Sequence, residues 1–163
     1  MKKTIASLFF CAAAICAVTV LQPVEANAHR RGQARVNRVA RRAQLDRIIS
    51  NLEERVDRFV SQFDDSLDNS RLNGTRREDN LNRRARDLES ATDELRREFD
   101  RNDSKQENRP EAQKCLDIAS DINRVIVRRK FNRATENNWA NVRAELNTLA
   151  RFYNLPPVGG AYR

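Results

Sequence analysis

The chain has one histidine, three cysteines, four glycines, four prolines and one tryptophan in 163 residues, and aromatic residues make up only 6% of it. Each scarcity excludes something. A single imidazole removes the multi-ligand zinc sites and the Glu-x-x-His pairs of di-iron bundles. Nucleophilic catalysis through a Ser–His–Asp or Cys–His arrangement would have to recruit His29. So few glycines and prolines exclude collagen-like chains, three cysteines are too few for a disulfide scaffold, and 39% hydrophobic against 33% charged residues exclude a polytopic membrane protein. There is no Gly-rich phosphate loop. No segment alternates apolar and polar residues with period two, so strands are not expected. The adjacent acid pairs Glu53-Glu54 and Asp64-Asp65 point about 100° apart on a helix and do not converge. No enzyme activity, cofactor or metal is therefore expected.

What is present begins with an export signal. Lys2-Lys3 forms a positive start, Ile5 to Leu21 is an uncharged apolar run, and Ala26-Asn27-Ala28 supplies small residues at −3 and −1 of a cleavage site. This pattern predicts a signal peptide over residues 1–28 and a mature chain beginning at His29, exported to the periplasm or the extracellular space. Neither Cys11 nor Cys16 follows the small residue that a lipoprotein signal requires, and both leave with the signal. Cys115 then remains alone, as a buried thiol behaving as a small hydrophobe or as a partner for another chain.

The mature chain carries four amphipathic stripes. Leu45, Ile49, Leu52, Val56, Phe59 and Phe63 repeat with 4-3-4-3-4 spacing, which predicts one face of a bundle helix. Val36, Val39 and Ala43 suggest that this helix extends further toward the N-terminus. Gly74 marks a turn, and Thr75 to Glu78 reads as a capping box that starts the next helix. That second stripe is Leu81, Ala85, Leu88, Thr92, Leu95 and Phe99, and residues 100–108 read as a solvated connection. Asn108 with Pro110 predicts a third start, with a stripe of Ala112, Cys115, Ala119, Ile122 and Ile126. Asn132 predicts a cap on the fourth helix, whose stripe is Trp139, Val142, Leu146, Leu149 and Tyr153. The indole and phenol tips of those last two aromatics are expected near the rim.

These stripes predict an all-α fold, an antiparallel four-helix bundle with a long first hairpin. Its expected layout is a signal peptide over 1–28, a basic arm and helix start over 29–44, the bundle over 45–155 and a disordered tail over 156–163. The segment from Trp139 to Tyr153 resembles the W-x-x-[LV]-R-x-[DE]-L-N-x-L-A-x-x-Y ending of a family of uncharacterised exported bacterial helical proteins. Those chains are also similar in the Arg/Asp-rich first hairpin, here Ser70 to Thr75. The resemblance implies the same helical fold over most of residues 36–155 and brings no activity, ligand or site residue.

Charge is distributed unevenly. The formal charge is +8; without the first 28 residues, 29 basic and 22 acidic residues leave +7. Arg30, Arg31, Arg35, Arg38, Arg41, Arg42 and Arg47 face one acid, Asp46, so that one segment carries +6. Guanidinium groups suit phosphate and carboxylate surfaces, which makes these seven arginines the candidate polyanion-binding residues. Two function classes follow. The first is a non-enzymatic binding or structural module of the cell envelope, tethered by the arm to an anionic envelope surface or an acidic partner. The alternative is a nucleic-acid-binding protein using the same arm; no aromatic residue lies among these arginines to stack bases. The oligomeric state is open at this level.

Overall fold

A computed structural model describes residues 24–102, 104–129 and 131–160. They form four helices, α1 (Val24–Asp68), α2 (Arg76–Arg101), α3 (Arg109–Arg128) and α4 (Arg133–Tyr153), and no strand occurs among the described residues. Residues 1–23 of the expected signal peptide, with Cys11 and Cys16, lie outside the described residues. The chain divides into two units, Met1–Arg35 and Val36–Arg163. Within the second unit the helices pack together as an all-α bundle around one apolar core. No helix of the described residues is long and apolar enough to cross a membrane.

All four stripes are buried as their spacing predicts. Leu52, Val56 and Phe59 of α1, Leu88 and Leu95 of α2, Cys115 and Ala119 of α3, and Val142, Leu146 and Leu149 of α4 are each 0% exposed. Burying a side chain of Leu or Phe size contributes roughly 1.5–3 kcal/mol. Aromatic rings knit α1 to α4 as well. Phe59 lies 5.1 Å from both Phe63 and Trp139, and Phe63 lies 5.3 Å from Phe131.

The upstream extension of the first helix forms as expected, and its apolar residues stay outside the core. α1 does continue past Leu45 toward the N-terminus, but Val36 and Val39 are 61% and 63% exposed, and Ala43 is exposed too. The reason is register. Ala43 lies two positions before Leu45, a turn of about 200°, so these side chains stand on the face away from the core. Arg38 and Arg42, seven residues before Leu45 and Ile49, occupy the positions that continue the buried stripe.

The turns form largely as the sequence directs. Gly74 has φ 74, the left-handed region that glycine enters without penalty. The Glu78 N–H donates to Thr75 Oγ1 at 3.3 Å. In return, the Glu78 carboxylate accepts from the Gly74 N–H at 2.5 Å, one residue earlier than a capping box requires. Asn132 caps α4, its Oδ1 accepting from the Thr135 N–H at 2.8 Å. Asn108 does not cap α3 through its side chain. It is fully buried and donates from Nδ2 to the Asn102 carbonyl at 3.1 Å. Asn108 thereby ties the end of the connection back to Asn102, while Gln106 and Glu107 are exposed as a solvated link requires.

The tail differs from expectation. Residues 156–160 fold back instead of dispersing: Val158 is only 3% exposed, and its N–H donates to Asn147 Oδ1 at 2.7 Å. Asn154, in the left-handed region at φ 55, turns the chain, and the Leu155 N–H closes on the Ala150 carbonyl at 2.8 Å. An apolar residue two turns beyond the helix thus finds cover over α4. Residues 161–163 lie outside the described residues.

Candidate functional site

The seven candidate arginines all lie on α1, but in unlike settings. The side chains of Arg30 and Arg31 lie outside the described residues. Arg35, Arg38, Arg41, Arg42 and Arg47 are exposed. Arg42 stacks its guanidinium 5.0 Å from the centre of the Phe99 ring at the end of α2, a contact that covers the last apolar residue of the α2 stripe. Arg47 follows Leu45 by two residues and therefore faces away from the buried stripe. Arg38 and Arg42 share a face, and Arg47 does not join them.

The one acid of this segment is already occupied. Asp46 Oδ1 accepts from Arg96 Nη1 of α2 at 2.8 Å. Arg96 also donates to Ser50 Oγ at 2.7 Å and to Glu53 Oε2 at 3.1 Å. Burial works to lower the Arg96 pKa, but its hydrogen bonds to Asp46 and Glu53 outweigh that and hold it up. Glu53, one of the adjacent acids, is thus partly buried against α2. Asp64 of the other pair meets Arg86 at 3.9 Å.

Other charged pairs sort differently from the i, i+4 pattern in the sequence. Glu54 and Arg58 do pair. Arg83 turns to Asn80 rather than Asp79, and Arg97 takes Glu94 at 2.5 Å rather than Asp93. Exposed pairs of this kind are weak, so nearby rotamers compete on even terms. Asp93 is left to act on its neighbours. The carboxyl groups of Asp57 and Glu89 are pushed up, by burial first and then by repulsion from Asp93 and, for Glu89, from Asp57.

The two tip-bearing aromatics of α4 are both interior. The Trp139 indole N–H donates to Asn123 Oδ1 of α3 at 3.0 Å. Tyr153 is 1% exposed, and its hydroxyl has no hydrogen-bond partner among the described residues. Burial pushes its pKa up, with the Glu111 carboxylate and Cys115 adding to the shift. The Cys115 thiol is pushed up to about 12, again by burial first. It is the inert interior thiol that its place on the stripe predicts. Among the described residues no three His, Cys, Asp or Glu side chains cluster closely enough to hold a metal ion.

Sequence reasoning missed a different concentration of arginines. A cleft of about 630 Å³ runs between α2 and α3, lined by Arg77 and Arg84 from α2, Arg124 and Arg128 from α3, and Arg129 at the end of α3. Its floor is apolar, with Leu81 buried and Val125 half-buried. In the sequence these residues are spread over fifty positions whose charges nearly cancel, and Arg128-Arg129 reads as an ordinary favourable interaction with a helix C-terminus. Only the packing of α2 on α3 brings them to one wall.

Comparison of the chain with protein-family models, with curated proteins and with solved structures finds no match.

Proposed function

We propose that this protein is a non-enzymatic, exported binding or structural module of the cell envelope, held at an anionic surface by the arginine-rich part of α1. One observation carries the reading. Arg35, Arg38, Arg41 and Arg47 are exposed, while Asp46, the acid nearest to them in sequence, is engaged by Arg96. The positive charge of these four arginines is therefore available to an external partner. Attraction to an anionic leaflet is worth about 1 kcal/mol per basic residue near the surface, so several arginines together give a reversible tether. Export is supported by the charged start, apolar run and Ala26-Asn27-Ala28 site. The bundle is read as antiparallel, because Arg96 meets Asp46 and Glu53 whereas Arg86, earlier on α2, meets Asp64, later on α1. Membership of the exported helical family suggested by the 139–153 segment belongs to the same reading.

The test uses the mature chain and a variant with Arg35, Arg38, Arg41 and Arg47 all changed to Gln. Only the unaltered chain should sediment with phosphatidylglycerol vesicles at low salt, neither should sediment with phosphatidylcholine, and both should keep the same helical circular dichroism. Equal sedimentation of the two chains overturns the tether. Tighter binding of duplex DNA than of vesicles at physiological salt moves the function to nucleic-acid binding. Mass spectrometry of the protein from its native cells should find His29 at the N-terminus.

A further inference from the structure

We propose that the cleft between α2 and α3 is a binding site for a phosphorylated ligand, whose phosphate oxygens are taken by Arg77, Arg128 and Arg129. This site stands apart from the arm and does not depend on the tethering role given to it.

Charge balance inside the cleft comes first. Five guanidinium groups line it against a single carboxylate, Asp121. That carboxylate is already shared: Arg84 reaches it at 2.5 Å, and Arg124 pairs with it from one turn further along α3. Its pKa is held below the usual carboxylate range by the hydrogen bond from Arg124 first and that from Arg84 as well, so it stays ionised and keeps both partners. Arg77, Arg128 and Arg129 have no carboxylate partner among the described residues. Like charges gathered on one cleft without counter-charge repel one another, and a bound anion relieves that repulsion. Arginine in particular presents a planar fork that matches two phosphate oxygens at once.

Shape selects a small molecule rather than a broad surface. The cleft has the capacity of ordinary small-ligand sites, which run from roughly 300 to 1,000 Å³. Arg129 also borders a second cleft of about 460 Å³ that contains Leu72, Phe131 and Arg71. The polar side chains there are committed internally: Ser70 Oγ donates to the Leu67 carbonyl at 2.8 Å and accepts from the Leu72 N–H at 3.0 Å, and Asn132 serves Ser66 and Thr135. What the second cleft offers a ligand is therefore an apolar wall beside a guanidinium. A phosphate ester with an apolar or ring-bearing group fits this pair, its phosphate between α2 and α3 and its remainder against Phe131. A lipid headgroup and a free phosphorylated metabolite share that chemistry.

The experiment uses the full mature chain at 0.15 M salt, where loose surface attraction is screened beyond ~8 Å. Pyrophosphate is titrated by calorimetry into the unaltered chain, into Arg77→Gln/Arg128→Gln, and into the arm variant with four glutamines. Both exchanged cleft residues are exposed, so the thermal midpoint should hold. The expected result is saturable one-site binding, weakened about tenfold or more in the cleft variant and unchanged in the arm variant. Absence of saturable binding, equal binding by the cleft variant, or a loss confined to the arm variant overturns the proposal. Phosphatidic acid vesicles offered to the arm variant then identify the source. Vesicle binding displaced by pyrophosphate marks a lipid headgroup, and pyrophosphate binding without vesicle binding marks a free phosphate ester.

Discussion

The indole N–H of Trp139 donates to Asn123 Oδ1 at 3.0 Å inside the core, a polar tie between α4 and α3. The same oxygen accepts from Arg143 Nη1 at 3.4 Å. On its other side Asn123 meets the returning tail, where a Cβ added to Gly159 would stand 3.1 Å from Asn123 Nδ2. A short amide thus joins α3, α4 and the 156–160 turn, and no apolar residue could replace it without stranding the indole donor.

Asn123→Ala should therefore cost about 1–3 kcal/mol, the penalty for a buried donor left unsatisfied. Urea unfolding followed by tryptophan fluorescence measures it directly, because the only Trp is the residue affected. A change below about 0.5 kcal/mol, within the range of an ordinary surface substitution, would show that the bond does not hold the junction.

Leu52 and Leu146 are both 0% exposed, on α1 and α4. Replacing either with Ala should cost roughly 2–5 kcal/mol, combining lost apolar transfer with the cavity left behind. Thermal midpoints unchanged in both variants would contradict a shared core.

How much of this was legible in sequence depends on which interactions set each feature. The stripes through Leu52, Leu88, Ile122 and Leu146 were readable because a helix buries one face with a fixed period, and Gly74 and Asn132 because turn and cap chemistry is local. Asn108 and Val158 were not readable. Their burial depends on what lies across the bundle from them, which no local pattern records. Val36 and Val39 marked the upstream helix correctly, and their register against Leu45 shows that they face outward. The α2–α3 arginine cleft was the least accessible feature, since its members come from two helices and their charges cancel along the chain. The arm was plain as charge, whereas the capture of Asp46 by Arg96 required the structure.

The interior ionisable groups of α3 and α4 make stability fall in alkali. Both Cys115 and Tyr153 have pKa values raised above their ordinary ones, the thiol from 9.0 to about 12. A group raised in this way gives its full support below its unfolded pKa and loses it as pH climbs toward the folded value. Stability should therefore be flat near neutrality and decline from about pH 9 upward. Tyr153→Phe removes a hydroxyl that has no hydrogen-bond partner among the described residues, so it should be neutral or stabilising at pH 7 and should make the alkaline decline shallower. Urea midpoints collected between pH 7 and 11 test both points, and a wild-type slope identical to that of the variant would discard the account for Tyr153. Cys115, fully buried, should resist iodoacetamide at pH 8 until the chain is unfolded.

Arg96 links the bundle to the charge of α1, so its removal should register twice. Its guanidinium bonds Asp46, Ser50 and Glu53 across the α1–α2 interface and lies 5.5 Å from the Phe99 ring that Arg42 covers from another side. Arg96→Gln should destabilise the fold by about 1.5–3 kcal/mol, the range for hydrogen bonds to charged groups. Arg96→Lys should recover only part of this loss, because an ammonium cannot spread its donors over three acceptors on successive turns. The second effect is electrostatic. Without Arg96, Asp46 becomes free to neutralise an arginine of its own segment, so Arg96→Gln should also weaken sedimentation with anionic vesicles. Asp46→Asn separates the two effects: it loses part of the same interface and yet raises the net charge of the segment, so stability should fall while vesicle binding holds or rises. If Asp46→Asn instead weakened vesicle binding as much as Arg96→Gln does, binding would be following the integrity of the fold, and the occupied state of Asp46 would not be what leaves the arginines available.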